Sequence, residues 1–201
     1  MKAFLGKIGK HWWVYLAWIV MAAFFWNWIF GILTQAKPEE KVSVFIGSYS
    51  NFYEKYTELN ESRPDYLKTV EVNAYKVDSF YFSTYLSVFG YDEGDILILP
   101  ESKTDKEGLA GRFGAITQEY LDLLPSLGYM EKNGQTYGIR VHDKATGESL
   151  VNYIDYGAGE KEEDYYLFFG KNSLHTGKMS PNAGNAERDG AIRIAQRLMT
   201  L

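Results

Sequence analysis

From Trp12 to Thr34 the chain runs WWVYLAWIVMAAFFWNWIFGILT without a single charged residue. At helical rise these residues extend about 34 Å, enough for the roughly 30 Å hydrocarbon core of a bilayer, whereas the apolar part of a cleaved signal is usually about 7–15 residues. The pattern predicts a transmembrane helix over 12–34. Lys2, Lys7 and Lys10 precede it without a nearby acid, so residues 1–11 are expected in the cytoplasm and the rest of the chain outside the cell. Trp12, Trp13, Tyr15, Trp26, Trp28 and Phe30 suit the two interfaces, and Asn27 near the outer end suits headgroups or water. The alternative is a signal cut near Thr34-Gln35-Ala36, a poor small-x-small match.

After a polar linker at 35–41, the pattern changes to short runs. Residues 41–47 (KVSVFIG) and 95–99 (DILIL) are apolar and β-rich, and 67–77 (LKTVEVNAYKV) alternates, so three strands are expected. Between them, Asn51 opens a helix through Phe52, Tyr56 and Leu59 that Pro64 stops. Asp78 caps a second through Phe82, Leu86 and Phe89, closed by Gly90. Strand and helix alternating at this spacing predict a parallel sheet with right-handed crossovers.

Further on, a short helix is expected near 117–124 and a hairpin of 136–142 with 149–156 across Asp143-Lys144-Ala145-Thr146-Gly147. A last strand at 165–169 (YYLFF) and a closing helix at 185–201, with Ala191, Ile194, Ala195 and Leu198 on one face, complete the pattern. The fold class is therefore α/β: a transmembrane helix, then over 42–201 one three-layer lobe with a mainly parallel sheet and an added hairpin.

Composition narrows the function. Of 21 Lys and Arg, four (Lys2, Lys7, Lys10, Lys37) lie in residues 1–37, which hold no acid, leaving 17 bases against 26 acids and a net charge of −9 on residues 38–201. That argues against nucleic acid, whose binding depends on neutralising phosphates. The absence of cysteine removes disulfides, thiolate metal sites, a cysteine nucleophile and a lipidated anchor together.

The pieces VSVFIGSYS, DILILPES, GQTYGIRV, and YYLFFGKNS before AIRIAQRL resemble, in order, segments of the extracytoplasmic solute-binding proteins of ABC importers, the type 2 periplasmic-binding fold. The resemblance implies a domain acting in or beside an ABC import system, with a permease or another extracytoplasmic protein as partner and a small polar solute as ligand. Such proteins are longer and close two lobes on the solute; here only 33 residues separate Glu101 from Gln135, where the family inserts most of its second lobe. One lobe without the clamp is the expectation, which leaves a protein-interaction or assembly module as the alternative function.

In an open parallel sheet ligands sit outside the carboxyl ends of the strands. Ser48, Tyr49 and Asn51 after the first strand, and Glu101 and Ser102 after the third, are the candidate ligand-binding residues, set against the simpler roles of cap or solvated side chain. Tyr75, Phe80, Tyr81, Phe82, Tyr85 and Phe89 form an aromatic cluster, mostly core by their spacing, from which Tyr81 and Tyr85 are left over as a docking face. Arg112, among Gly108, Gly111 and Gly114, is a candidate for a carboxylate or a partner.

Catalysis finds little support. His11, His142 and His175 are scattered, no H-E-x-x-H or G-x-S-x-G occurs, and Asp155, Glu160, Glu162, Glu163 and Asp164 lack calcium-loop spacing. No enzyme, metal or cofactor is expected.

Overall fold

The computed structural model describes residues 12–48, 53–157, 162–179 and 188–200. Two compact units divide after Ala36. The first contains α1 (Trp12–Thr34), whose ends coincide with those read from the sequence. None of its residues is buried, and its apolar side chains point in all directions, so it is long and apolar enough to cross a membrane.

In the second unit a seven-stranded sheet is built from β1 (Lys41–Ile46), β2 (Thr69–Ala74), β3 (Ile96–Pro100), β4 (Tyr129–Lys132), β5 (Gln135–Asp143), β6 (Glu148–Ser149) and β7 (Tyr165–Phe169). Its order is β2-β1-β3-β7-β5-β4, with β6 beside β5. The β2-β1-β3 part is parallel, as the alternating pattern predicts. From β3 onward every pairing is antiparallel, so the sheet as a whole is mixed rather than mainly parallel.

Period-two alternation divides the core between the two faces. Val42, Val44 and Ile46 of β1, Ile96 and Ile98 of β3, and Leu167 and Phe169 of β7 face one side. There they meet Tyr56 and Leu59 of α2 (Tyr53–Glu61) and Ala191, Ile194, Ala195 and Leu198 of α6 (Gly190–Leu198). Phe45, Leu97, Leu99 and Phe168 face the other side, against Phe82, Leu86, Leu109 and Phe113. A strand apolar at every position is one covered on both faces, which accounts for YYLFF in the middle of the sheet.

Three local readings are corrected. The helix expected from Asp78 to Gly90 begins only at α3 (Phe82–Tyr85) and widens into a π-helix over Leu86–Asp92. Gly90 is not its stop but a contact glycine: a Cβ there would lie 2.9 Å from Leu86 Cδ1 and 3.3 Å from Leu97 Cδ2. The strand expected at 149–156 shrinks to β6, because Tyr153 turns the chain at φ +66° and Val151 and Ile154 drop into the core. The principal hairpin of β5 is instead with β4, through Asn133 (φ +53°) and Gly134 (φ +74°), the left-handed pair that a tight two-residue turn requires. The turn before β6 does end on a left-handed glycine, Gly147 at φ +70°, as read. The segments Leu109–Arg112 (α4) and Gln118–Leu121 (α5) are single helical turns, the second within the stretch expected to be helical.

Candidate functional site

The carboxyl ends of β1 and β3 are roofed by the protein's own chain. Ser48 is fully buried, and its hydroxyl donates to the Asp155 carbonyl of the 150–157 segment. Tyr56 donates to the Tyr153 carbonyl in the same segment at 3.5 Å, and Tyr156 donates to Val151 O at 2.5 Å. Burial lifts the phenols of Tyr156 and Tyr165 above the ordinary tyrosine range, so both stay neutral packing groups.

At the end of β3, the Glu101 carboxylate is 2.5 Å from Lys106 Nζ. Ser102 donates to Glu163 twice, from its backbone N–H at 2.9 Å and its hydroxyl at 3.0 Å. Ser48, Glu101 and Ser102 thus occur at the strand ends where they were expected, but each is already held by a partner in the chain. Tyr49 and Asn51, including the helix cap read at Asn51, lie outside the described residues.

The aromatic cluster is partly core and partly surface. Phe45 stacks on Tyr75 (5.4 Å between ring centres, 27°), and Tyr75 stacks on Tyr85 (4.4 Å, 24°) and Phe89 (5.9 Å, 14°). Tyr81 lies 6.2 Å from Tyr85, and Phe80 meets Tyr81 edge to face at 5.1 Å and 87°. This row of rings runs from a fully buried phenylalanine to Phe80, which is 92% exposed, with Tyr81 at 59%. The sequence reading put the exposed part at Tyr81 and Tyr85; the structure adds Phe80 as its most exposed member and leaves Tyr85 half-buried.

Beside the other flank of the same helix, a groove of about 390 Å³ lies between α3, its π extension and residues 102–112. Phe82, Leu86 and Tyr91 supply its apolar part. The Arg112 guanidinium rests 4.4 Å from the centre of the Tyr91 ring and 3.4 Å from Asp105 Oδ2. The other Asp105 oxygen accepts the backbone N–H groups of Glu107 (3.2 Å) and Gly108 (2.9 Å), which fixes the carboxylate that fixes the arginine. Two residues named from the sequence, Ser102 and Arg112, therefore meet in one groove; Ser83, Ser87 and Lys103, which also line it, carried no sequence signal.

Two buried polar centres were not anticipated. At the amino ends of the strands, the Asp95 carboxylate accepts the Ser43 N–H at 2.8 Å and lies 2.5 Å from Ser173 Oγ. Nearby, His175 is hydrogen-bonded to the Pro38 carbonyl at 2.9 Å and stacks on Tyr66. On β5, His142 stacks on Tyr156 (4.1 Å, 7°), and its Nδ1 lies 2.8 Å from Ser149 Oγ. Its buried Nε2 has no hydrogen-bond partner among the described residues and lies 3.7 Å from Glu162. Of the acidic stretch before β7, Glu163 holds Ser102, and Asp164 accepts the Lys144 N–H at 2.9 Å and sits 3.7 Å from Arg140. Among the described residues no group of three acids, histidines or cysteines is arranged to hold a metal. Comparison with protein-family models, with curated proteins and with solved structures returned no match.

Proposed function

We propose that the chain is a membrane-anchored, non-enzymatic, extracytoplasmic domain that docks another protein through the aromatic face of Phe80, Tyr81 and Tyr85. The observation that carries this reading is the ring stack itself. Phe80 is 92% exposed yet belongs to a row of aromatics that continues to buried Phe45, so it is presented on a supported surface. Large apolar rings held rigidly at a surface are the usual anchors of protein interfaces, since little side-chain entropy remains to be lost on binding. The anchor and the outward orientation are supported by the uncharged Trp12–Thr34 helix and the lysines before it. The proposed setting, in or beside an ABC import system, is supported by the sequence resemblance to importer binding proteins. Solute capture by a single open lobe is disfavoured by the internal commitments of Ser48, Glu101 and Ser102.

The test is photo-crosslinking in living cells with benzoylphenylalanine at position 80 and, as a control, at exposed Arg197. A discrete protein adduct from position 80 alone is expected. Equal adducts from both positions, or none from position 80, would refute the docking face.

A further inference from the structure

We propose that the groove between the π-helix and residues 102–112 binds a small-molecule oxyanion, a carboxylate or a phosphate, through Arg112 and Lys103. The volume of about 390 Å³ falls within the range of small-ligand sites. What the groove offers becomes clear once its committed groups are set aside. Ser102 is taken by Glu163, the Thr104 hydroxyl donates to Pro100 O at 3.2 Å, and Asp105 is taken by Arg112 and two backbone N–H groups. Ser83, Ser87 and Lys103 make no side-chain hydrogen bond or ion pair among the described residues, and Arg112 meets no acid except Asp105. The uncommitted groups, Ser83, Ser87 and Lys103, are all able to donate, and Arg112, although paired with Asp105, has guanidinium N–H groups beyond that one contact.

Charge points the same way. Lys103 and Arg112 face Asp105 within the groove and Glu163 behind Ser102, so the groove is about neutral in a stretch of chain whose net charge is −9. An anion is repelled less here than by the acidic remainder of the surface. Arg112 is also pre-positioned: the Tyr91 face below it and Asp105 beside it restrict the guanidinium plane before any ligand arrives, so less freedom is lost on binding. The widened turn of the π-helix brings Ser87 and Tyr91 to the groove together with Ser83, at four-residue steps along one side. The apolar floor of Phe82 and Leu86 suits a short carbon skeleton on the anion.

This inference is independent of the aromatic docking face, which lies on the other flank of the helix. It is tested by calorimetry on the full chain in nanodiscs of zwitterionic lipid, titrated with inorganic phosphate and separately with citrate at constant ionic strength. Saturable one-site binding of at least one probe is expected. Binding should weaken at least about tenfold in Arg112→Gln and in Lys103→Gln, the loss of one charge-assisted hydrogen bond, and stay unchanged in Lys178→Gln. The control lysine is paired with Glu119 elsewhere on the surface. Binding of phosphate alone identifies a phosphate site and binding of citrate alone a carboxylate site. Because Lys103 is exposed and makes no ion pair among the described residues, Lys103→Gln keeps the test valid should Arg112→Gln disturb the fold. Absence of saturable binding by either probe, or binding that survives both substitutions, would overturn the proposal.

Discussion

Replacing Asp95 by Ala and by Asn should have opposite consequences, because the side chain is needed as a hydrogen-bonding group and not as a charge. Asp95 is only 7% exposed and links three elements. Its carboxylate receives the Ser43 N–H of β1 and contacts Ser173, whose hydroxyl oxygen also accepts the His175 N–H at 3.1 Å. Its backbone bonds Ser43 O at 2.9 Å and Gly170 N at 3.0 Å. Alanine leaves the buried Ser43 N–H without an acceptor and the Ser173 hydroxyl without its partner. At about 1–3 kcal/mol for a buried polar group left unpaired, the expected loss is about 2–4 kcal/mol. For a chain of this size that is a fall of roughly 4–16 °C in Tm.

Asparagine keeps an acceptor for Ser43 and sets an amide N–H against Ser173 Oγ, reversing the bond that the Ser173 hydroxyl donates to the carboxylate. Its change should stay within about 1 kcal/mol, with stabilisation the expected sign near neutral pH because no charge is then buried. Burial holds the Asp95 carboxyl above the ordinary carboxylate range, against the opposing pull of His175, the Ser173 hydroxyl and the Ser43 N–H. An acid raised in this way contributes its full stability below the unfolded value of about 4 and loses it as the pH rises through the native value. The wild-type domain should therefore weaken over that alkaline-going window, and the Asn variant should lack that part of the slope. Thermal melts followed by near-ultraviolet circular dichroism across pH check this. Equal destabilisation by Asn and Ala, or a pH slope unchanged in the Asn variant, would refute the reasoning.

Two further outcomes follow from the packing. Gly138→Ala should cost about 1–3 kcal/mol by overpacking, because its Cβ would fall 2.6 Å from Phe168 Cε1, and that ring is stacked on Phe113 at 4.2 Å; denaturant titration against wild type measures it. The fragment 38–201 should fold without α1 in one cooperative transition, since both faces of its sheet are covered from within the second unit; a gradual, non-cooperative melt would show that the core is incomplete.

Much of the fold was legible where the signal is local. The uncharged run set both ends of α1, the apolar strands β1, β3 and β7 fell where they were read, and the alternation of the first half gave the parallel β2-β1-β3 arrangement. What was missed depends on pairing across distance. Strand β4 reads YMEK, with only Met130 buried, so it has almost no hydrophobic pattern of its own; the signal that could have located it was Asn133-Gly134. The strand ends are chosen on topology alone, and there Ser48 is tied to a carbonyl 107 residues away and Ser102 to a carboxylate 61 residues away. No local pattern reveals such partners. Arg112 stood out among glycines, but the solvent-facing Ser83 and Ser87 that join it carry no periodicity to mark them.

Because the chain has no cysteine, a single one introduced at a chosen position reports on that position alone. The most direct test of an outward-facing domain with a covered aromatic face compares Phe80→Cys with Arg197→Cys, each reacted with a membrane-impermeant maleimide on intact cells at native expression and again as purified chain. The cysteine at 197 is expected to react in intact cells as it does in the purified chain, and the cysteine at 80 to react in the purified chain but much more slowly in cells. Reaction of both only after permeabilisation would contradict the orientation, and reaction at 80 as fast in cells as in the purified chain would contradict the docked face.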